Sequence, residues 1–276
     1  MPGTDAIARR ALVAAARRLR ERRSVIVGGH GVGDLPYGAD PENLCVPVAR
    51  FRAQVELLLD AGFRFVTVAE LARAAGRPGL AALSFDDGMD NNLTVVAPLL
   101  REYGVPATVY VATGLIGHPN PWLDPALGAR MMTADELREL AGAGIELGAH
   151  TVTHADLSAL DVEACGREVA GSRAGVEAVT GVAPTTFAYP YCRFGPAAVE
   201  AVHDAGFEAA VTGLGLGGGG PFELDRAMVT GVDGLPAFVA KLGGLYEPLH
   251  RSRAGTALRV TSRRARHLLR ARRAAA

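Results

Sequence analysis

The chain has 276 residues, 49% of them hydrophobic, with 29 basic and 29 acidic side chains and a formal net charge of zero. That is ample for one large core, and one α/β domain of this length is ordinary. No apolar run approaches the ~20 residues of a membrane span. Three cysteines, Cys45, Cys165 and Cys192, form no disulfide framework, and no helix-turn-helix, RNA-binding or zinc-finger pattern points to nucleic acid.

Residues 5–23 read as an Ala/Arg helix with a weak apolar stripe, Ile7, Leu12, Ala15 and Leu19, suited to lie on a membrane or on the body of the protein. Without an apolar h-region this segment does not read as a secretory signal, so cytoplasmic residence is expected. An apolar strand, 24–29, then runs into His30. Helix 48–61 and strand 63–67 follow. Strand 80–85 ends on Asp86-Asp87-Gly88. Helix 92–103 and strand 107–112 lead to a Pro-rich loop carrying Trp122, the one tryptophan, which suits either a buried loop anchor or a surface for stacking a sugar.

Helix 133–143 opens on the capping-box pair Thr133 and Glu136. Strand 145–149 ends on His150-Thr151-Val152-Thr153-His154. Helix 161–180, strand 185–189 with Pro190-Tyr191 after it, helix 195–205 and strands 208–212 and 224–229 complete the body. Gly213 to Gly220 reads as a flexible loop rather than a phosphate cradle. Residues 251–276 are a basic tail. The segments divide as a helix over 1–23, a barrel over 24–236 and a basic helical extension over 237–276.

Alternating strands and helices call for a parallel sheet, and the strand count fits closure into a barrel. His30, Asp86, Asp87, His150 and Tyr191 then all follow strands, so one rim gathers them. In such folds that rim is where chemistry is done. Two imidazoles and one carboxylate satisfy a hydrolytic metal site with an open position. A second, adjacent carboxylate is free to act as general base, because successive side chains at a strand end point in different directions. Alone, Asp-Asp-Gly is a turn and His-x3-His a helical face; their shared placement argues for a site.

These stretches resemble the polysaccharide deacetylase family, carbohydrate esterases with a NodB homology domain. The likeness runs over about residues 24–232. It rests on Ser84-Phe85-Asp86-Asp87-Gly88, on Glu146 through His154, and on Phe187-Ala188-Tyr189-Pro190-Tyr191 followed by Ala205-Gly206-Phe207. The resemblance implies a distorted (β/α)7 TIM-like barrel and metal-dependent removal of an N-acetyl group from an amino sugar or glycoconjugate. It implies Asp86 as general base, Asp87, His150 and His154 as metal ligands, and the Tyr191 N–H as an oxyanion donor. The donor set suits Zn2+, with Co2+, Ni2+ or Fe2+ as alternatives.

The chain departs from the family pattern twice. Ala188 stands where many members carry an Arg that orients the catalytic Asp; Arg193 and Arg226 are the candidates to replace it. Leu224-Asp225-Arg226 stands where the family's late Leu-x-His motif supplies the general acid. The strand ending in His30 resembles that of the permuted exopolysaccharide N-deacetylase branch, which implies His30 as the acid. Two rival readings stay open: a deformylase or ureide-type amidohydrolase on the same scaffold, and a non-catalytic, membrane-associated sugar-binding protein.

Charge suggests a further partner. Residues 1–23 carry seven Arg against two acids (+5) and residues 251–276 nine Arg and no acid (+9), leaving −14 between them. Peripheral contact with an anionic inner-leaflet membrane is one expectation; solvated basic ends in an Arg-biased chain, with Lys241 its one lysine, are the other.

Overall fold

A computed structural model describes residues 2–213, 215 and 220–244. Most of the glycine-rich loop and the basic tail lie outside these residues. Helix α1 (Pro2–Arg20) leads into β1 (Val25–Gly29). The short strands β2 (Gly31–Val32) and β3 (Cys45–Val46) pair with each other outside the main sheet. Then come α2 (Val48–Asp60), β4 (Arg64–Phe65), α3 (Val68–Arg73), β5 (Leu80–Phe85), α4 (Ala97–Tyr103), β6 (Thr108–Val111), α5 (Ala134–Gly142) and β7 (Glu146–Ala149). The chain continues through α6 (Val162–Thr180), β8 (Thr186–Ala188), α7 (Pro196–Asp204), β9 (Ala209–Gly213), β10 (Leu224–Met228) and α8 (Leu235–Leu242).

Every pairing in the main sheet is parallel. The order β5-β6-β7-β8-β9-β10 closes through β1, which pairs with both β10 and β5, into a seven-stranded (β/α)7 barrel. The two-residue β4 lies beside the first half of β5. Alternation along the strands sets the two faces. Ile26, Ala82, Tyr110, Ala188 and Val211 point into the barrel. Val25, Val27, Leu83, Phe85, Val109 and Val111 point outward onto the helical shell, against Phe51, Leu57, Leu58 and Phe238. Each such large side chain, buried completely, is worth ~1.5–3 kcal/mol.

The expected strands and helices are present within a residue or two at most ends, and the Thr133–Glu136 capping box is formed. Residues 92–103 depart from one regular helix. Asn92–Val96 form a π-turn before α4 begins. Pro98 lacks the N–H that would bond back to Thr94, and a widened turn accommodates the loss. The stripe on α1 lies on the barrel: Ala16 is buried, and Leu12, Val13, Ala15 and Leu19 pack on the core, while Ile7 stays exposed. No described helix is long and apolar enough to cross a membrane.

The barrel interior depends on a missing side chain at Gly148. A β-carbon there would collide with the Tyr110 ring and approach the Thr186 carbonyl oxygen at 3.1 Å. Gly148→Ala is therefore expected to destabilise the fold by ~1–3 kcal/mol, measured as a shift in the urea midpoint at unchanged slope.

Candidate active site

The C-terminal strand ends do gather the sequence-predicted residues. Asp86 and Asp87 follow β5, and the Asp86 N–H donates to the Gly29 carbonyl at 2.8 Å, tying the motif to the end of β1. His150 follows β7, its N–H bonded to the Val111 carbonyl at 3.0 Å. The imidazole Nε2 atoms of His150 and His154 lie 3.5 and 3.3 Å from Asp87 Oδ1. Ligand atoms of the three residues all fall within 4.8 Å of one another. Cys192 is not part of this group.

The residues fit a divalent cation. Asp87 Oδ1 is buried and accepts no hydrogen bond, an arrangement that is costly without a cationic partner. Each imidazole has its other nitrogen engaged. His150 Nδ1 is 2.7 Å from the Ala188 carbonyl oxygen, and His154 Nδ1 is 3.1 Å from the Tyr191 hydroxyl. Such outer contacts fix the tautomer and leave Nε2 as the donor to a metal. Burial opposes ionisation of Asp87, but the imidazoles of His150 and His154 and the nearby His30 outweigh it and hold the carboxyl far below its usual range.

Backbone strain concentrates here. Among the described residues, seven non-glycine positions have positive φ, and five of them are Asp87, Thr151, His154, Tyr191 and Cys192. Surrounding contacts must hold such conformations in place. Glu168 on α6 does so for the histidine loop. Its carboxylate accepts from the backbone N–H groups of Val152 and Thr153 at 2.8 and 2.9 Å and from the Thr153 hydroxyl at 2.8 Å.

Of the two candidates to orient Asp86, the fold selects Arg226. Its Nη1 and Nη2 donate to Asp86 Oδ1 and Oδ2 at 2.6 and 2.8 Å, and its Nε donates to the Thr212 carbonyl at 3.2 Å. Arg193 instead pairs with Asp156 at 2.9 Å. Barrel order explains how the guanidinium reaches Asp86. β1 stands between β10 and β5, and Gly28 on β1 offers no side chain in the path. A β-carbon there would collide with Met228 and lie 3.3 Å from the Arg226 side chain. The guanidinium also lies 5.7 Å from the centre of the Tyr110 ring. Burial resists ionisation of Asp86, but the Arg226 charge, helped by His150 and His30, holds it below the ordinary carboxylate range.

His30 follows β1 on the same rim. Its Nδ1 is buried without a hydrogen-bond partner, and its imidazole lies close enough to help lower both the Asp86 and Asp87 carboxyls. Asn92, fully buried in the π-turn, donates from Nδ2 to the His30 carbonyl at 2.9 Å. Trp122 is half-buried rather than sealed in a core, with its ring centre 4.9 Å from that of His154. Tyr191 is exposed and also flanks His154, its ring centre 4.7 Å away. Sequence reasoning missed Asn92, Glu168 and Tyr110. All three lie within segments that read only as helix or strand, and no motif singled them out.

The family model for polysaccharide deacetylases matches residues 73–210, half of the chain. The chain belongs to the polysaccharide deacetylase family. The Bacillus subtilis (strain 168) protein YxkH is 26% identical over 175 residues, 62% of this chain and 59% of that protein. A chitooligosaccharide deacetylase of Rhizobium leguminosarum bv. trifolii is 32% identical over 115 residues, 41% of this chain and 45% of the relative. The chain thus spans about half the length of these two curated relatives. Among solved structures, the Streptococcus pyogenes deacetylase PplD in complex with acetate superposes with a TM-score of 0.68 at 22% identity. That match covers 80% of this chain and 98% of the other. At that identity the superposition establishes the deacetylase barrel as the fold.

Proposed function

We propose that this deacetylase-family chain is a divalent-metal-dependent hydrolase that removes an N-acetyl group from an amino sugar or glycoconjugate. The observation that carries the reading is the pairing of two buried carboxylates in different states of satisfaction. Asp86 is held by a guanidinium fork. Asp87 points an unsatisfied oxygen at two imidazole Nε2 atoms.

An ion held by Asp87, His150 and His154 would supply a Lewis acid for the amide carbonyl and would acidify the hydrolytic water. Asp86, kept ionised by Arg226, accepts the water proton. The backbone N–H of Tyr191, in its left-handed turn, is assigned to the developing oxyanion. His30 gives its proton to the departing amine as the C–N bond breaks, leaving acetate and a free amino sugar. The Arg226–Asp86 pair supports this reading over a sugar-binding protein, because binding alone needs no oriented base. The donor set suits zinc, and cobalt, nickel and iron are compatible with it.

Metal analysis and titration test the ligand assignment. One divalent ion per chain is expected, and Asp87→Ala should abolish stoichiometric binding. Ion content unchanged in Asp87→Ala would remove the site. The role of His30 is tested separately. His30→Ala is expected to keep its metal while turnover falls ~100- to 10,000-fold, with loss of the pH–rate limb belonging to the acid. A normal pH profile in that variant would move the acid elsewhere.

A further inference from the structure

The fold places the basic N-terminal helix beside the last described residues, on the rim opposite the candidate site. Helix α1 packs on α2 and α8. Its last turn reaches the N-terminal ends of the strands: Arg20 donates to the Gly62 carbonyl at 3.3 Å, and the Arg23 carbonyl accepts from the Gly79 N–H at 3.2 Å. Gly79 immediately precedes β5, whose other end carries Asp86 and Asp87. A six-residue strand spans roughly 20 Å, so α1 and the site lie at opposite ends of the barrel.

The described chain leaves the barrel at this same rim. β-Carbons placed on Gly243 and Gly244 would each lie 3.7 Å from a side chain at or just past the end of α1, those of Leu19 and Arg23 respectively. Residues 245–276, which start there, carry nine Arg against one Glu. The N-terminal +5 therefore lies at the rim from which the described chain departs, whereas residues 24–244 are acidic overall.

The exposed face of α1 is mixed in character. Ile7 is 68% exposed, and Ala11 and Ala14 continue its face. Arg10, Arg18 and Arg22 are exposed and make no ion pair or hydrogen bond through their side chains among the described residues. The acids beside them are Glu21, Glu56 and Asp60; Arg9 lies 2.6 Å from Asp60 and 3.7 Å from Glu56. Unpaired arginines around a small apolar strip suit a surface that is both anionic and apolar just beneath its charge.

We infer that this rim is a docking face for an anionic phospholipid bilayer, and that docking turns the mouth of the barrel away from the lipid. An amino sugar within a bilayer headgroup is then out of reach of the site, whereas a soluble or long glycan is not.

The test uses the full chain and vesicles of phosphatidylcholine with or without phosphatidylglycerol. Binding should require phosphatidylglycerol and be released by salt. R10Q/R18Q/R22Q should bind on the order of 100-fold more weakly, about fivefold per arginine, with unchanged melting temperature and turnover. Trp122 at the mouth reports orientation, because it is the one tryptophan. Brominated lipid should leave its fluorescence unquenched in the bound wild type and should quench Ile7→Trp/Trp122→Phe. Equal binding to both vesicle types, full binding by the triple variant, quenching of Trp122, or displacement from vesicles by an RNA oligonucleotide at lower concentration than by lipid would each overturn the inference. The last would assign the face to nucleic acid.

Discussion

Arg226→Met is expected to lose about 3–5 kcal/mol of folding stability, lowering the melting temperature by on the order of 10 °C, and to lose most turnover. Both effects have one cause. Arg226 has no exposed surface and forms both hydrogen bonds of a fork with the buried Asp86. Removing the guanidinium leaves a carboxylate in the barrel without a counter-charge, and its proton becomes harder to lose. Arg226→Lys keeps the charge but not the planar fork, so an intermediate loss is expected. A wild-type melting temperature in Arg226→Met would show that Asp86 does not depend on this partner.

Asp86→Asn should keep its metal and lose turnover by ~100- to 10,000-fold, because an amide cannot take the water proton. The structure adds a second consequence. The introduced amide would face a buried guanidinium with only one acceptor oxygen, so this variant is also expected to be less stable than wild type. Asp86→Asn/Arg226→Met removes the unpaired charge and should be less destabilised than the sum of the single variants. Such coupling is what a double-mutant cycle measures. Strict additivity would mean that the two side chains do not share an interaction. Unchanged turnover in Asp86→Asn at equal metal content would remove it from the mechanism.

Most of the barrel was legible in the sequence because its strands are short apolar runs closed by polar residues. Leu80–Phe85 and Glu146–Ala149 reveal both the strand and, in the residues that follow, the site. Their shared rim follows from parallel pairing alone. The choice of Arg226 over Arg193 was not legible in this way. The partner of Arg226 lies 140 residues away in sequence, on a strand end two places around the barrel. In sequence it stood both as the loss of a family histidine and, beside Arg193, as one of two candidates to orient Asp86, with nothing to choose between them. In the fold it supplies, from β10, the arginine that Ala188 on β8 lacks. Ala188 still contributes its carbonyl to His150, a role no side-chain motif records.

Gly28 and Gly148 make the same point. Each reads as an ordinary strand glycine until Met228 with Arg226 beside it, and Tyr110, are seen to fill the space its missing side chain leaves. The apolar stripe of α1 had two outlets in sequence, and packing on α2 and α8 uses most of it. Asn92 escaped notice because a buried polar side chain inside a helical pattern has no periodic signature. Its purpose shows only in the hydrogen bond to the His30 carbonyl.

The most direct test of the metal-dependent deacetylase reading is amine release from N-acetylated chitooligosaccharides by metal-analysed protein, with acetate measured in parallel. The account predicts equimolar free amine and acetate, loss of both on chelation and recovery on adding back a divalent ion. It also predicts no recovery in Asp87→Ala. Undiminished release from the fully chelated protein, or from Asp87→Ala, would contradict it.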